Sequence, residues 1–421
     1  MKKRKKIILG SITGALALAL AGGGFWAYKT FVPQETPIDK NATVASNFYQ
    51  AVNKEWLLKA KIPVDSPSID SFYTLDEDVK GKLKKDIKNL GEGKESSDIT
   101  GMSEFITFYK AASDYKQREK DGLEPLKPYL KEIEDIKDLN DLANKSASLT
   151  DKGIPIPFGY DVGTNAENTS QKQIQLSPPS ILLPDVSIYK DESSKKQYLT
   201  PIETATQKAL EMLGYSEKNS KRIVKEALEF DEIIAKYSLS NEEMSESKNL
   251  VHPKTAEEIN AYSGSFKLYD VIKGIMGRDL ETINVPNTKY FENYSKVVNQ
   301  DNFSKIKSWM LVQEAMAASN SLTEDYRLNF QSISMAIMGT QKPISKEDTV
   351  YEMSVNLFSD VMSVYYGRKY FGEEAKTDVT GMIDKIKNVY RGRLQQNNWL
   401  TEGTRNKAIE KLDKMKVFVG Y

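Results

Sequence analysis

From Phe72 onward the apolar residues fall at Phe72, Leu75, Val79, Leu83, Ile87 and Leu90, in steps of 3, 4, 4, 4 and 3. Only an α-helix brings side chains at that interval onto one face, so this stretch must be helical and must bury a stripe. Asp70 or Ser71 is placed to cap it, and Lys82, Lys84, Lys85 and Lys88 lie mainly off the stripe as a solvated face. The same period returns at Ile223, Ala227, Phe230, Ile234 and Tyr237, and helical patterning covers 123–148 and the regions around 301–318, 351–371, 378–396 and 401–416. Thr200-Pro201-Ile202-Glu203 reads as a helix start, with threonine as cap, proline in the first turn and Glu203 completing a capping box. Gly214 supplies the stop. Strand signals are few. Ile154, Ile156 and Phe158 alternate around Pro155 and Pro157 in a run to Val162, which predicts an edge strand because proline removes a ladder donor. Gln173–Leu176 is a second strand candidate. The expected fold class is mainly α: a large multi-helix lobe with a small β element.

The N-terminus adds one more helix of a different kind. Lys2, Lys3, Arg4, Lys5 and Lys6 precede an uncharged run of 22 residues, Ile7–Tyr28. At 1.5 Å per residue such a run makes about 33 Å of helix, enough for a hydrocarbon core of roughly 30 Å. Trp26 and Tyr28 sit at its far end, where amphipathic rings favour the interface. The expected order is a cytoplasmic basic tail (1–6), a transmembrane anchor (7–28), a linker rich in polar residues with Pro33 and Pro37 (29–46), and an extracytoplasmic body (47–421). The alternative is a signal peptide cleaved after the small residues near Ala21, which would leave the body secreted.

Composition narrows the chemistry. Lys plus Arg and Asp plus Glu are both 59; without the five N-terminal basic residues the body carries a net charge of about −5. That balance excludes a nucleic-acid partner, which requires a basic face. There is no cysteine, hence no disulfide, thiolate zinc site, cysteine nucleophile or lipoprotein anchor. There is one histidine, His252, in a predicted turn before a helix at Thr255. H-E-x-x-H needs two histidines four residues apart. A Ser-His-Asp triad would need His252 and a placed serine, and Tyr262-Ser263-Gly264-Ser265 lacks the strand-to-helix setting of a nucleophile elbow. Phosphate-binding glycine loops are absent from the sequence, and the acidic pairs Glu242-Glu243 and Glu373-Glu374 read as solvated faces. No catalytic, cofactor-binding or metal-binding residue can be assigned.

Residues 47–63, NFYQAVNKEWLLKAKIP, resemble the opening of the neprilysin-like zinc metalloendopeptidases, of the bacterial endopeptidase O type, through Asn47, Phe48, Tyr49, Val52, Asn53, Trp56, Leu57, Ile62 and Pro63. Lys54 stands where that family usually has glycine. Further elements follow in family order: Phe72 and Leu75; Phe108-Tyr109 with Asp114; Leu183-Pro184-Asp185 with Tyr189; Tyr365 with Tyr370-Phe371; and Trp399, Thr404, Ala408, Lys411-Leu412 and Gly420-Tyr421. Val251-His252 departs from the Tyr-Asn usual before the proline.

The resemblance implies a helical N-terminal lobe that restricts a shared cavity to peptides. In that family the Gly-Tyr pair is followed by proline and a catalytic half bearing an Asn-Ala-Tyr strand, H-E-x-x-H and the glutamate of the third zinc ligand. None of these has a counterpart here, so zinc and peptide substrates belong to the full-length family and not to this chain. The expectation is a truncated or split peptidase, inactive alone, in which Phe72, Leu75, Leu412 and Val419 turn toward the missing half or a partner that covers the open face. The competing readings are a non-catalytic cell-surface scaffold that reuses the lobe, and a hydrolase with an unfamiliar site.

Overall fold

The computed structural model describes residues 38–421. Expectations for the basic tail, the anchor and the first part of the linker fall on residues 1–37 and lie outside the described residues. Among the described residues no helix is long and apolar enough to cross a membrane.

The chain is mainly helical, with one small sheet. Counting helices of eight or more residues, the order is α1 (Ser71–Gly91), α2 (Met102–Ser113), α3 (Lys127–Glu134), α4 (Leu139–Asp151), β1 (Gly159–Thr164), β2 (Lys172–Ser177), α5 (Glu192–Met212) and α6 (Glu217–Tyr237). Then come β3 (Pro253–Lys254), α7 (Leu268–Met276), β4 (Ile283–Asn284), α8 (Phe303–Ala317), α9 (Glu324–Met338), α10 (Lys346–Leu357), α11 (Ser359–Tyr366), α12 (Gly372–Gln395) and α13 (Glu402–Asp413).

These elements fall into two compact units, each built from two stretches of chain. The first holds, of the described residues, 38–69 and Tyr115–Ile344; the second holds Asp70–Asp114 and Ser345–Tyr421.

The first unit is organised on α5, α6, α8 and α9. Most of the stripe read from the sequence is buried along α6: Ile223, Ala227, Phe230 and Ile234 are inaccessible or nearly so, Tyr237 is half-buried, and the Phe230 ring meets Trp309 of α8 edge-on at 5.8 Å. Around this core the sheet has the order β1-β2-β4-β3. β1 and β2 form an antiparallel hairpin in register from Gly159 opposite Ser177 to Thr164 opposite Lys172. β2 runs parallel to β4, and β3 runs antiparallel to β4.

Two local expectations need correction. Ile154–Phe158 stays outside the ladder, and β1 begins only at Gly159, as its two prolines require, although Ile154, Ile156 and Phe158 are buried. β1 is an edge strand, as expected. Thr200 does not start a helix. α5 begins eight residues earlier with Asp191 as N-cap, its carboxylate accepting from the Ser194 amide at 2.7 Å, and it passes through Pro201. Proline forfeits one amide bond in a helix. Here Tyr198 and Leu199 before it and Ile202 after it pack with Leu183, Val186 and Tyr189, and that burial carries the helix across. Gly214 does end it, with φ +97° and the Tyr215 amide bonded back to the Leu210 carbonyl at 3.1 Å.

The second unit has its own core of Leu83 and Ile87 from α1, Met102 and Phe105 from α2, Tyr351 from α10, and Met362 and Tyr365 from α11. Asp70 caps α1 through the Tyr73 amide at 2.7 Å. The single helix expected over 351–371 is three pieces: α10 and α11 break at Phe358, and a π-helical turn, Gly367–Phe371, follows α11. Thr401 caps α13, so that helix runs as expected but stops at Asp413.

Candidate functional site

His252, the sole histidine, lies just before β3. Its amide donates to the Asn284 carboxamide at 2.7 Å and its carbonyl accepts from Val285 at 3.0 Å, so the backbone is sewn to β4. The imidazole Nε2 is buried without a hydrogen-bond partner among the described residues. The residue as a whole is half-buried. Ser263, in the segment set aside as a nucleophile elbow, is buried and spends its hydroxyl on the Leu268 amide and the Ile259 carbonyl.

One buried carboxylate escaped the sequence reading. Asp231 of α6 is inaccessible. Both its oxygens accept from the Leu182 amide at 3.1 Å, and the Tyr189 hydroxyl donates to it. Burial pushes its pKa up to about 6, against the lowering effect of those donors. The pair fixes the Leu183-Pro184-Asp185 turn: Leu183 is buried, and Asp185 accepts from Ser187 at 2.8 Å and from Asn241 at 2.7 Å. The only sequence signal was an aspartate beside Phe230 within an apolar stripe. A shallow cavity of about 390 Å³ opens beside this turn, lined by Pro178, Pro179, Ile181, Asp185, Met244 and Asn287 among others. It holds no nucleophile–base pair.

In the second unit, polar side chains serve the packing. Lys369 bonds Asp86 at 2.9 Å, Glu95 at 2.8 Å and the Tyr365 hydroxyl at 3.0 Å, while Tyr370 donates to Asp86 at 2.7 Å. Burial would lower the lysine, but these contacts outweigh it and hold the ammonium well above its usual range. Of the two tyrosines matched to family positions, Tyr370 thus bonds the buried aspartate directly and Tyr365 accepts from the lysine that pairs with it.

The most informative surfaces are apolar. α12 is 24 residues long and none of its side chains is fully buried. Met382, Ile386, Val389 and Tyr390 form an exposed stripe at helical spacing, and Trp399, Met415, Val417 and Phe418 are exposed beyond it. Phe72 and Leu75 are exposed as expected, whereas Leu412 is buried at 8% exposure. In the first unit Phe48, Tyr49, Val52 and Ile62 of the opening segment are likewise exposed.

The sequence profile of the N-terminal part of peptidase family M13 matches residues 44–421. The chain belongs to peptidase family M13. This M13 chain is 33% identical over 384 residues to a neutral endopeptidase of Lactobacillus helveticus, covering 91% of itself and 59% of that relative. It is 30% identical over 380 residues to a neutral endopeptidase of Lactococcus lactis subsp. lactis, covering 90% of itself and 60% of the relative. Among solved structures, PepO from Lactobacillus rhamnosis superposes with a TM-score of 0.82 at 24% identity, over 89% of this chain and 59% of that one. The Mycobacterium tuberculosis zinc metalloprotease Zmp1 in complex with inhibitor gives 0.78 at 19% identity, over 90% and 57%. These likenesses establish the fold as the neprilysin-like N-terminal lobe. The M13 chain spans about three fifths of the length of the relatives it matches.

Zinc is named in the description of Zmp1. The sequence holds one histidine and no cysteine, and among the described residues no group of three or more His, Asp or Glu side chains could hold a metal. Carboxylates alone suit hard cations and do not make a tight zinc site.

Proposed function

We propose that this chain is the non-catalytic N-terminal lobe of a membrane-anchored zinc metalloendopeptidase, and that peptide hydrolysis requires a C-terminal part of the kind its relatives possess. The observation that carries the reading is the α12 stripe. A helix draws most of its stability from packing an apolar face, yet Met382, Ile386, Val389 and Tyr390 stay in solvent. Covering each such side chain fully contributes roughly 2 kcal/mol, so the face favours a partner. The match to three fifths of the neutral endopeptidases supports that partner being the remainder of a peptidase.

In this reading the lobe is residues 47–421, zinc and the peptide-cleaving groups come from the C-terminal part, and peptides are the substrates. Lys2–Lys6 followed by Ile7–Tyr28 support a single-pass anchor with the body outside the cytoplasm.

The test supplies the C-terminal part of the Lactobacillus helveticus neutral endopeptidase to the purified chain. A complex with a raised melting temperature and zinc-dependent cleavage of a fluorogenic peptide is expected. A monomer that melts sharply and ignores the added part overturns the reading in favour of a self-sufficient scaffold. Protease added to intact cells or protoplasts should digest the body, and full protection in both would overturn the topology.

A further inference from the structure

The cavity of about 390 Å³ in the first unit is one-sided in charge and in hydrogen bonding. Among the described residues its charged lining is Asp161 and Asp185 alone, with no lysine, arginine or histidine. Pro178, Pro179, Pro184 and Pro286 bring carbonyls to the lining but no amides. The amides of Leu239, Asn241 and Met244 are spent inside the fold, on Asn287 at 3.3 Å, Asp185 at 2.7 Å and Ser240 at 2.8 Å. The lining therefore favours a ligand that donates.

The two carboxylates are not equivalent. Asp185 already accepts from the Ser187 and Asn241 amides, and Lys190 is near enough to act on it. Asp161 is exposed, and among the described residues no hydrogen bond or ion pair reaches its carboxylate. It stands on β1 opposite Gln175. Gly159 and Gly163, two residues away on either side, share its face of the strand. The side chains of β2 lie across those glycines: a Cβ at Gly163 would overlap the Gln175 carboxamide, and one at Gly159 the Ser177 hydroxyl. Asp161 is thus the only side chain that β1 places on this face. Aspartate is a poor strand former, so strand formation does not account for it there.

We propose that this cavity binds a basic side chain of a peptide, with its charged head on Asp161 and its methylene stem against the apolar part of the lining, Ile181, Val186, Leu239 and Met244. Lysine and arginine combine such a stem with such a head. Arginine is favoured, because a guanidinium can meet a carboxylate through two parallel hydrogen bonds. The volume lies at the small end of ligand sites and suits a single side chain. That the cation arrives on a peptide rests on the peptidase-lobe reading; that the cavity takes a cation does not.

The experiment uses the full chain and, as probes, the N-acetyl amides of arginine, lysine and citrulline, followed by ligand-observed NMR. Citrulline keeps the shape of arginine and loses the charge. Arginine amide should bind about tenfold or more tightly than citrulline amide, as a charge-assisted hydrogen bond predicts, with lysine amide between them. Added salt should weaken the arginine complex. Asp161→Asn should remove the preference for charge with the melt unchanged, and Asp161→Glu should restore part of it. Equal binding of arginine and citrulline amides, no binding of either, or an Asp161→Asn chain that binds like the parent overturns the proposal. So does an Asp161→Asn chain that keeps the preference and self-associates, since the charge would then serve only to guard an edge strand. None of these results bears on association with a neutral endopeptidase C-terminal part, which tests the peptidase-lobe reading separately.

Discussion

The ring of Tyr421 lies flat against the backbone of Gly367, so closely that a methyl group at Gly367 would overlap its Cδ1 and Cγ. Gly367 opens the π-helical turn Gly367–Phe371, a rare local geometry that here makes room for an aromatic ring arriving from the far end of the sequence. Gly367→Ala should therefore expel the ring and not strain the helix, since alanine favours helical backbone. The expected cost is about 1–3 kcal/mol, seen as faster hydrogen exchange over 414–421 with α6 exchange unchanged. Tyr421→Ala should reproduce the exchange pattern, and a Gly367→Ala chain with an unaltered 414–421 segment would contradict the fit.

Asp231 gives the first unit an inverted pH response. Its folded pKa of about 6 lies above the ordinary value of 3.8. Between those values the native state holds more protons than the unfolded one, so this group's contribution falls as pH rises from about 4 to 6. A two-unit displacement corresponds to at most about 3 kcal/mol. Asp231→Asn keeps a polar, uncharged group beside Tyr189 and Leu182. Urea midpoints measured at pH 4.5 and 7 should separate for the parent chain and converge for the variant, when read by a probe in α6.

The second unit should respond in the opposite sense. Asp348 accepts from Lys80 at 2.9 Å, from Lys84, and from Ser345 at 2.6 Å. Burial would raise it, but these donors outweigh burial and hold it well below the usual carboxylate range. A depressed carboxylate contributes stability above its unfolded pKa and loses it as pH falls below about 4. Asp348→Ala should cost the second unit about 1–2 kcal/mol at pH 7 after allowance for partial exposure, and little at pH 2. Exchange at α1 amides reads the difference, and an equal cost at both pH values would refute the assignment.

The helices were legible because their apolar residues repeat without interruption. Phe72–Leu90 became α1 and Ile223–Tyr237 became most of α6, with the cap Asp70 and the stop Gly214 where side-chain chemistry placed them. Thr200-Pro201 misled because a good start signal also fits inside a helix whose neighbours are buried, and burial outweighs one lost amide bond. The π turn had no signature, and the Tyr421 ring that packs on its first residue comes from more than fifty residues away. Asp231 was hidden for a related reason: an aspartate in a stripe looks like a lapse until Tyr189 and Leu182 are seen to meet it. Family membership was readable from the order of short motifs. Their roles were not, because Tyr189 and Tyr370 act through contacts with partners distant in sequence.

The α12 stripe allows a last test that separates folding from association. Met382, Ile386, Val389 and Tyr390 are exposed, so charging them removes little packing within the lobe. Surface changes away from special features usually stay within about 0.5 kcal/mol, and Ile386→Asp with Val389→Lys should leave the melting temperature nearly unaltered. The same pair places charge where a partner must desolvate it, so association with a neutral endopeptidase C-terminal part should weaken by two orders of magnitude or more, about 3 kcal/mol. It should also lower dye binding and aggregation of the free chain, because a contiguous apolar stripe drives both. Sedimentation and a thermal melt read the two effects in one preparation. A variant that loses its cooperative melt would show that α12 supports the lobe's own fold. One that melts normally and still associates as tightly as the parent would show that the stripe is not where the partner sits.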